Sequence, residues 1–319
     1  MINFRYHVVS LTAVFLALAI GLVVGTAALN GPVSENLRNN LEALNKDNNV
    51  RREQVNQLNE SVNRSQEFAS QIAPGLLSGK LSGRKIAVVA LPGTEDHTEG
   101  VVKMLTVAGA TITARVRMED KFFDPGTVND LLFLVDELSQ PSISVTGLPR
   151  NSDGVETASA LLALALLQGT PSTSTSPPVS TPTAEDVTAV LSAFTQPGYL
   201  TAEEGATGGA EAIVLVAGVP ATDKDAEKKS RFALTMAGEL SRVPRMLVVA
   251  GDNAGDGNLV SGIRNDPTLL TRISTVDNVS TVQGQVTTAL VTVERVTQNK
   301  VGQYGLAAGA TSIVPSAAP

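Results

Sequence analysis

The sequence predicts an α/β protein built from three consecutive parts: an N-terminal transmembrane helix, a long coiled-coil helix and a Rossmann-like parallel α/β domain. Three observations carry this prediction. Residues 8–29 form an uncharged apolar run. Residues 37–72 bear apolar side chains at alternating spacings of four and three. Beyond Leu76, short and continuously apolar strands alternate with helical stretches.

The first part covers residues 1–30. From Val8 to Leu29 the chain reads VVSLTAVFLALAIGLVVGTAAL. A helix of that length spans roughly 33 Å at about 1.5 Å per residue, enough for a hydrocarbon core of about 30 Å. Small residues at Gly25, Thr26, Ala27 and Ala28 resemble those near signal-peptide cleavage sites. The apolar stretch, however, exceeds the about 7–15 residues of a typical signal-peptide core, which favours a retained span. Arg5 precedes the run, and the first charge after it is Glu35. Positive charge stays on the cytoplasmic side, so the expected topology is single-pass in the plasma membrane, with the N-terminus cytoplasmic and the bulk extracytoplasmic. Gly21 and Gly25 form a GxxxG pair, a candidate for transmembrane packing.

The second part covers residues 31–74. Pro32 suits the first turn of a new helix, and no Gly or Pro follows until Pro74-Gly75. Leu37, Leu41, Leu44, Val55, Leu58, Val62, Ala69 and Ile72 keep a 4-3 spacing, and the same register places Asn48, Arg51 and Ser65 on the seam. A narrow stripe of this kind favours a coiled coil over an amphipathic helix packed on its own domain. About 40 helical residues make a rod of roughly 60 Å. Two copies anchored in one membrane with one orientation pair in parallel, so the expected partner is a second copy of the chain. Asn48 and Arg51 weaken the middle of the seam and mark it as a candidate binding surface.

The third part covers residues 75–301. Strand-like runs fall at Lys85–Ala90, Thr111–Val116, Ala212–Ala217, Arg245–Ala250 and, weakly, Arg272–Val276. Helical stretches lie at Thr98–Ala108, Thr127–Leu138, Val155–Gln168, Ala184–Phe194, Lys224–Arg242 and Thr281–Gln298. Continuously apolar strands alternating with helices indicate a parallel sheet covered on both faces. Residues 170–183 (TPSTSTSPPVSTPT) are expected as a disordered loop and residues 302–319 as a flexible tail, with Tyr304 and Leu306 as residues able to dock.

Composition narrows the chemistry. The formal net charge of -7 argues against a nucleic-acid-binding domain, whose surface is normally basic. There is no Cys, which removes disulfides, thiolate metal sites and Cys nucleophiles. After the first strand, LPGTEDHTEG lacks both the dinucleotide and the phosphate-loop fingerprints. His97, between Asp96 and Glu99, is the one imidazole of the domain and a candidate acid/base or metal ligand, although a lone His in a polar loop is more often simply solvated. The run GDNAGDGN offers Asp252, Asn253, Asp256 and Asn258 to a hard cation, but lacks the EF-hand spacing and is explained as well by Gly/Asn turns. No catalytic, cofactor or metal site is assigned, and the domain is read as a binding module, not an enzyme.

The run FRYHVVSLTAVFLALAIGLVVG at 4–25, followed by the heptads and an α/β domain, resembles the actinobacterial MctB family, described as copper transporters or copper transport outer membrane proteins. The resemblance spans the whole architecture and is most specific at RYHVVSL, Arg5–Leu11. Within that family the chain looks like a SteB-type member, the corynebacterial kind. That resemblance implies a role in cell separation together with the companion membrane protein SteA, and control of a peptidoglycan hydrolase such as RipA. The alternative it implies is a component of a copper transport or efflux channel. Copper(I) favours Cys and Met, and copper(II) favours imidazole. The chain has no Cys, two His far apart and five isolated Met, and a pore needs several helices or a closed barrel. The residues therefore favour the scaffold over the channel.

Overall fold

The computed structural model describes residues 4–30, 32–138, 142–143, 148–149, 153–169, 180–242, 246–252 and 257–316. The loop expected at 170–183 lies outside them except for residues 180–183. The chain divides into two compact units, residues 1–65 and 66–319.

The first unit is helical. Helix α1 (Phe4–Asn30) is uncharged from Val8 onward, and its window Phe4–Ala27 has a mean hydropathy of 2.6 with no part buried. By length and composition it is able to cross a membrane. Helix α2 (Pro32–Leu77) begins with proline, whose missing N–H is no loss in a first turn.

α2 runs past the break expected at Pro74-Gly75, and its last turns belong to the second unit. Ala69, Ala73 and Leu77 are buried there. A proline inside a helix removes one backbone hydrogen bond, which this tertiary burial outweighs. The helix ends near Gly79, whose φ of 74° is the left-handed conformation glycine tolerates. The second compact unit starts at Gln66.

A seven-stranded sheet forms the centre of this unit. Its strands are β1 (Lys85–Ala90), β2 (Thr111–Met118), β3 (Leu200–Ala202), β4 (Ala212–Val216), β5 (Met246–Ala250), β6 (Ile273–Val276) and β7 (Gln303–Tyr304), in the order β3-β2-β1-β4-β5-β6-β7. All pairs are parallel except β2 with β3. Side chains of one strand alternate between two apolar layers. Ile86, Val88, Val214 and Val248 join the layer that holds Ala73, Leu77 and helices α3 (Glu95–Val107) and α10 (Val282–Gln298). Ala87, Val89, Ile213 and Leu247 join the opposite layer. There lie α4 (Val128–Glu137), α5 (Gly154–Leu166), α6 (Ala184–Thr195), α7 (Ala226–Leu240) and α8 (Leu259–Asn265). The short α9 (Pro267–Leu270) leads into β6. This is the doubly wound arrangement expected from the apolar strand runs.

Residues 302–316 of the segment expected as a flexible tail take part in the fold. Gln303–Tyr304 adds the last strand, and the following loop wraps a buried ion pair. Arg264 donates to Asp277 at 2.7 Å, to the Tyr304 carbonyl at 2.8 Å and to the Ala308 carbonyl at 3.1 Å. The Asp277 carboxylate also accepts from the N–H groups of Leu306 and Ala307, at 2.7 and 3.1 Å. Gly305 has φ 127°, and a Cβ there would stand 2.2 Å from Asp277 Oδ1, so no other residue fits. Tyr304 docks through its ring, with its hydroxyl donating to Glu294, whereas the Leu306 side chain stays exposed. Burial, reinforced by Glu294, pushes the Tyr304 phenol well above its ordinary pKa.

Arg264→Ala leaves the Asp277 charge buried without its partner. Breaking a buried pair in this way costs about 3–5 kcal/mol. Chemical denaturation of the full chain in detergent should show a loss of that size. A loss below about 1 kcal/mol, the range of an exposed pair, would mean that the clasp is not structural.

Candidate functional site

Beyond the apolar helix α1, the first unit carries an exposed apolar stripe on α2. Leu37, Leu41, Leu44, Val55, Leu58 and Val62 are all between 51% and 66% exposed. Asn48 and Arg51 are exposed on the same register, and Arg51 is held to Asp47 by an ion pair of 2.8 Å. Single exposed apolar residues need no explanation, but a contiguous run at helical spacing marks an interaction surface. Gly21 and Gly25 have no atom within 4 Å of where a Cβ would stand, so that face of α1 is open to close approach.

The last two expected seam positions differ from the rest. Ala69 is 7% exposed and buried by its own chain. Ile72 is half-exposed and accompanied by exposed Phe68 and Leu76, which the sequence reading omitted. Their spacing of four was visible in the sequence. It was masked because Pro74-Gly75 reads as the end of the helix.

The second unit contributes a cleft at the carboxyl ends of β1 and β4. Strand order reverses there, since β2 lies on one side of β1 and β4 on the other. Doubly wound folds bind ligands at such a point. The cavity measures about 140 Å³ and is walled by Leu91, Pro92, Phe123, Val219, Pro220 and Leu259. Gly218 lets the two loops meet, because a Cβ there would lie 2.8 Å from the Thr94 methyl. Asp120 and Lys229 are the charged groups of the lining, and Lys229 is bound to Asp223 at 2.5 Å. That hydrogen bond raises the ammonium pKa, and the carboxylates of Asp120 and Asp124 act in the same direction.

The two loops singled out by sequence come together beside this cleft. His97 Nε2, in the first turn of α3, stands 3.8 Å from Asp252 Oδ2, which follows β5. Asp252 Oδ1 also accepts the Ser280 N–H at 3.1 Å. Asn258 caps α8 by accepting from Ser261 N at 2.8 Å, which gives this side chain a structural role. Asn253 and Asp256 lie outside the described residues. Among the described residues no group of three His, Asp or Glu is placed to hold a metal ion. The thioethers of Met104, Met118 and Met236 are buried in the aliphatic layers on either side of the sheet.

Among the described residues the architecture comprises one helix of membrane-spanning length, one long helix with an exposed heptad stripe and a doubly wound domain. The chain belongs to the MctB family: the family model described as "Copper transport outer membrane protein, MctB" matches residues 1–315. Relatives named "Copper transporter MctB" in Mycobacterium tuberculosis and Mycobacterium bovis are 29% identical over 324 residues, covering 99% of this chain and all of theirs. The Mycobacterium leprae protein of the same name is also 29% identical, over 98% of this chain and 99% of its own length.

Proposed function

We propose that the chain is a membrane-anchored dimeric scaffold of the cell envelope that acts by contact and not by catalysis. The observation that carries this reading is the exposed apolar stripe on α2. In heptad notation Leu41, Asn48, Val55 and Val62 occupy a positions, and Leu37, Leu44, Arg51 and Leu58 occupy d positions. Val at a with Leu at d favours two parallel strands, and a lone Asn at a sets register at some loss of stability. Asp47 at g and Arg52 at the following e are placed to pair between strands. The polar layer Asn48–Arg51 is then the weakest part of the seam and the place where a partner inserts.

On this reading the N-terminus is cytoplasmic, and the α/β domain stands outside the plasma membrane. The resemblance of the chain to SteB-type members of the family is the ground for a role in cell separation with SteA, recruiting or activating a peptidoglycan hydrolase such as RipA. A second reading, a copper transport or efflux channel component, is favoured by the names of the mycobacterial relatives. The donor set of this chain speaks against it: three of the five methionines are packed in the sheet layers, and no cluster of imidazoles accompanies them.

Residues 30–319 should measure as a dimer in solution. The double variant Leu41→Asp, Leu58→Asp should be monomeric, because it buries charge in the seam. A monomeric wild type would contradict the dimer.

Affinity capture of the tagged full chain from membranes should recover SteA or a wall hydrolase, and deletion should leave daughter cells attached. Recovery of neither, with normal separation and with copper sensitivity rescued by this chain alone, would favour the second reading.

A further inference from the structure

We infer that the face formed by Phe68, Ile72 and Leu76 is a self-association surface. The same face of a second copy occupies it, and the dimer contact thereby extends into the α/β unit. This inference rests on the parallel pairing of α2 proposed above. The three side chains are 64%, 39% and 42% exposed and sit four residues apart, so they line one face of the helix.

The register identifies the occupant. Ile72 and Leu76 lie two heptads after Leu58 and Val62 and hold the same d and a positions. The intervening a position, Ala69, is taken by the chain's own fold, together with Ala73 and Leu77. At that level Phe68, one residue earlier at g, supplies the apolar surface that Ala69 no longer offers. Each helix end therefore presents two faces. One, through Ala69, Ala73 and Leu77, is committed to its own domain. The other, through Phe68, Ile72 and Leu76, stays exposed among the described residues.

The surroundings suit a copy of the same face. In a two-fold contact each residue meets its own equivalent, so a like charge near the centre would repel. Between Ser65 and Leu77 the one charged residue is Glu67, at the outward f position, where it accepts from Gln71 at 3.1 Å. Gly75, the next g position, has no atom within 4 Å of where a Cβ would stand, which leaves room for a neighbouring helix beside Leu76.

The absence of cysteine from the chain makes the test direct. Single cysteines are placed at Leu58, Ile72, Leu76 and the outward Glu67 of the full-length chain, which is then mildly oxidised in its membrane. Disulfides form where Cα atoms approach within about 4.4–6.8 Å. L58C and at least one of I72C and L76C should be captured as dimers, while E67C stays monomeric. Adding Phe68→Glu should reduce capture at position 76 to the level of E67C and leave capture at position 58 unchanged. Capture of L58C with neither I72C nor L76C would overturn the inference and leave the dimer standing. Absence of capture at position 58 as well would overturn both. Equal capture of E67C would show random collision and would also overturn it.

Discussion

The constraint on which the architecture turns is that α2 carries more apolar surface than one chain covers. Water imposes a free-energy penalty roughly proportional to the apolar area left exposed. At the end of the helix Ala73 and Leu77 are covered by the sheet layer that also holds Ile86 and Val88, and Ala69 is buried as well. From Leu37 to Val62 the seam side chains are mostly exposed among the described residues. A helix stabilised by tertiary burial at one end and exposed along the rest is the ground on which a second copy is proposed as its cover. The proposed function is a statement of what supplies that cover.

The α/β domain is complete by comparison. Its strands are apolar on both faces, and both faces are layered with helices. Its last edge is closed by the C-terminal loop. In that loop the buried charges of Arg264 and Asp277 satisfy each other and several backbone groups. Such a closure limits the unpaired strand edge through which sheets aggregate. The cleft between β1 and β4 remains, with apolar walls and an ammonium already paired to Asp223. It keeps the position of a ligand site without the glycine-rich backbone that would hold a phosphate.

Most of the fold was legible in the sequence, because it rests on unbroken periodicity. The apolar run of α1, the 4-3 spacing of α2 and the β1, β4 and β5 runs all declare themselves locally. What was not legible depends on residues far apart. The order of the tail comes from Asp277 and Arg264, about 30 to 40 positions away from the groups they bind. Continuation of α2 through Pro74 depends on burial of Ala73 and Leu77, which no local rule for proline anticipates. The meeting of His97 with Asp252 joins the first turn of α3 to the loop after β5, with four strands between them in the sequence. The seam assignment faltered at Ala69 for the same reason: a heptad register shows which residues share a face and not which neighbour covers them.

Parallel pairing of α2 is the central claim, and distances between spin labels on the full chain in a lipid bilayer test it most directly. Single cysteines at Glu42 and at Glu60 carry the labels in separate samples. A parallel pair, with helix axes about 8–10 Å apart, predicts short and similar label-to-label distances at both positions. A long distance at either position, or no dipolar coupling at all, would contradict the account.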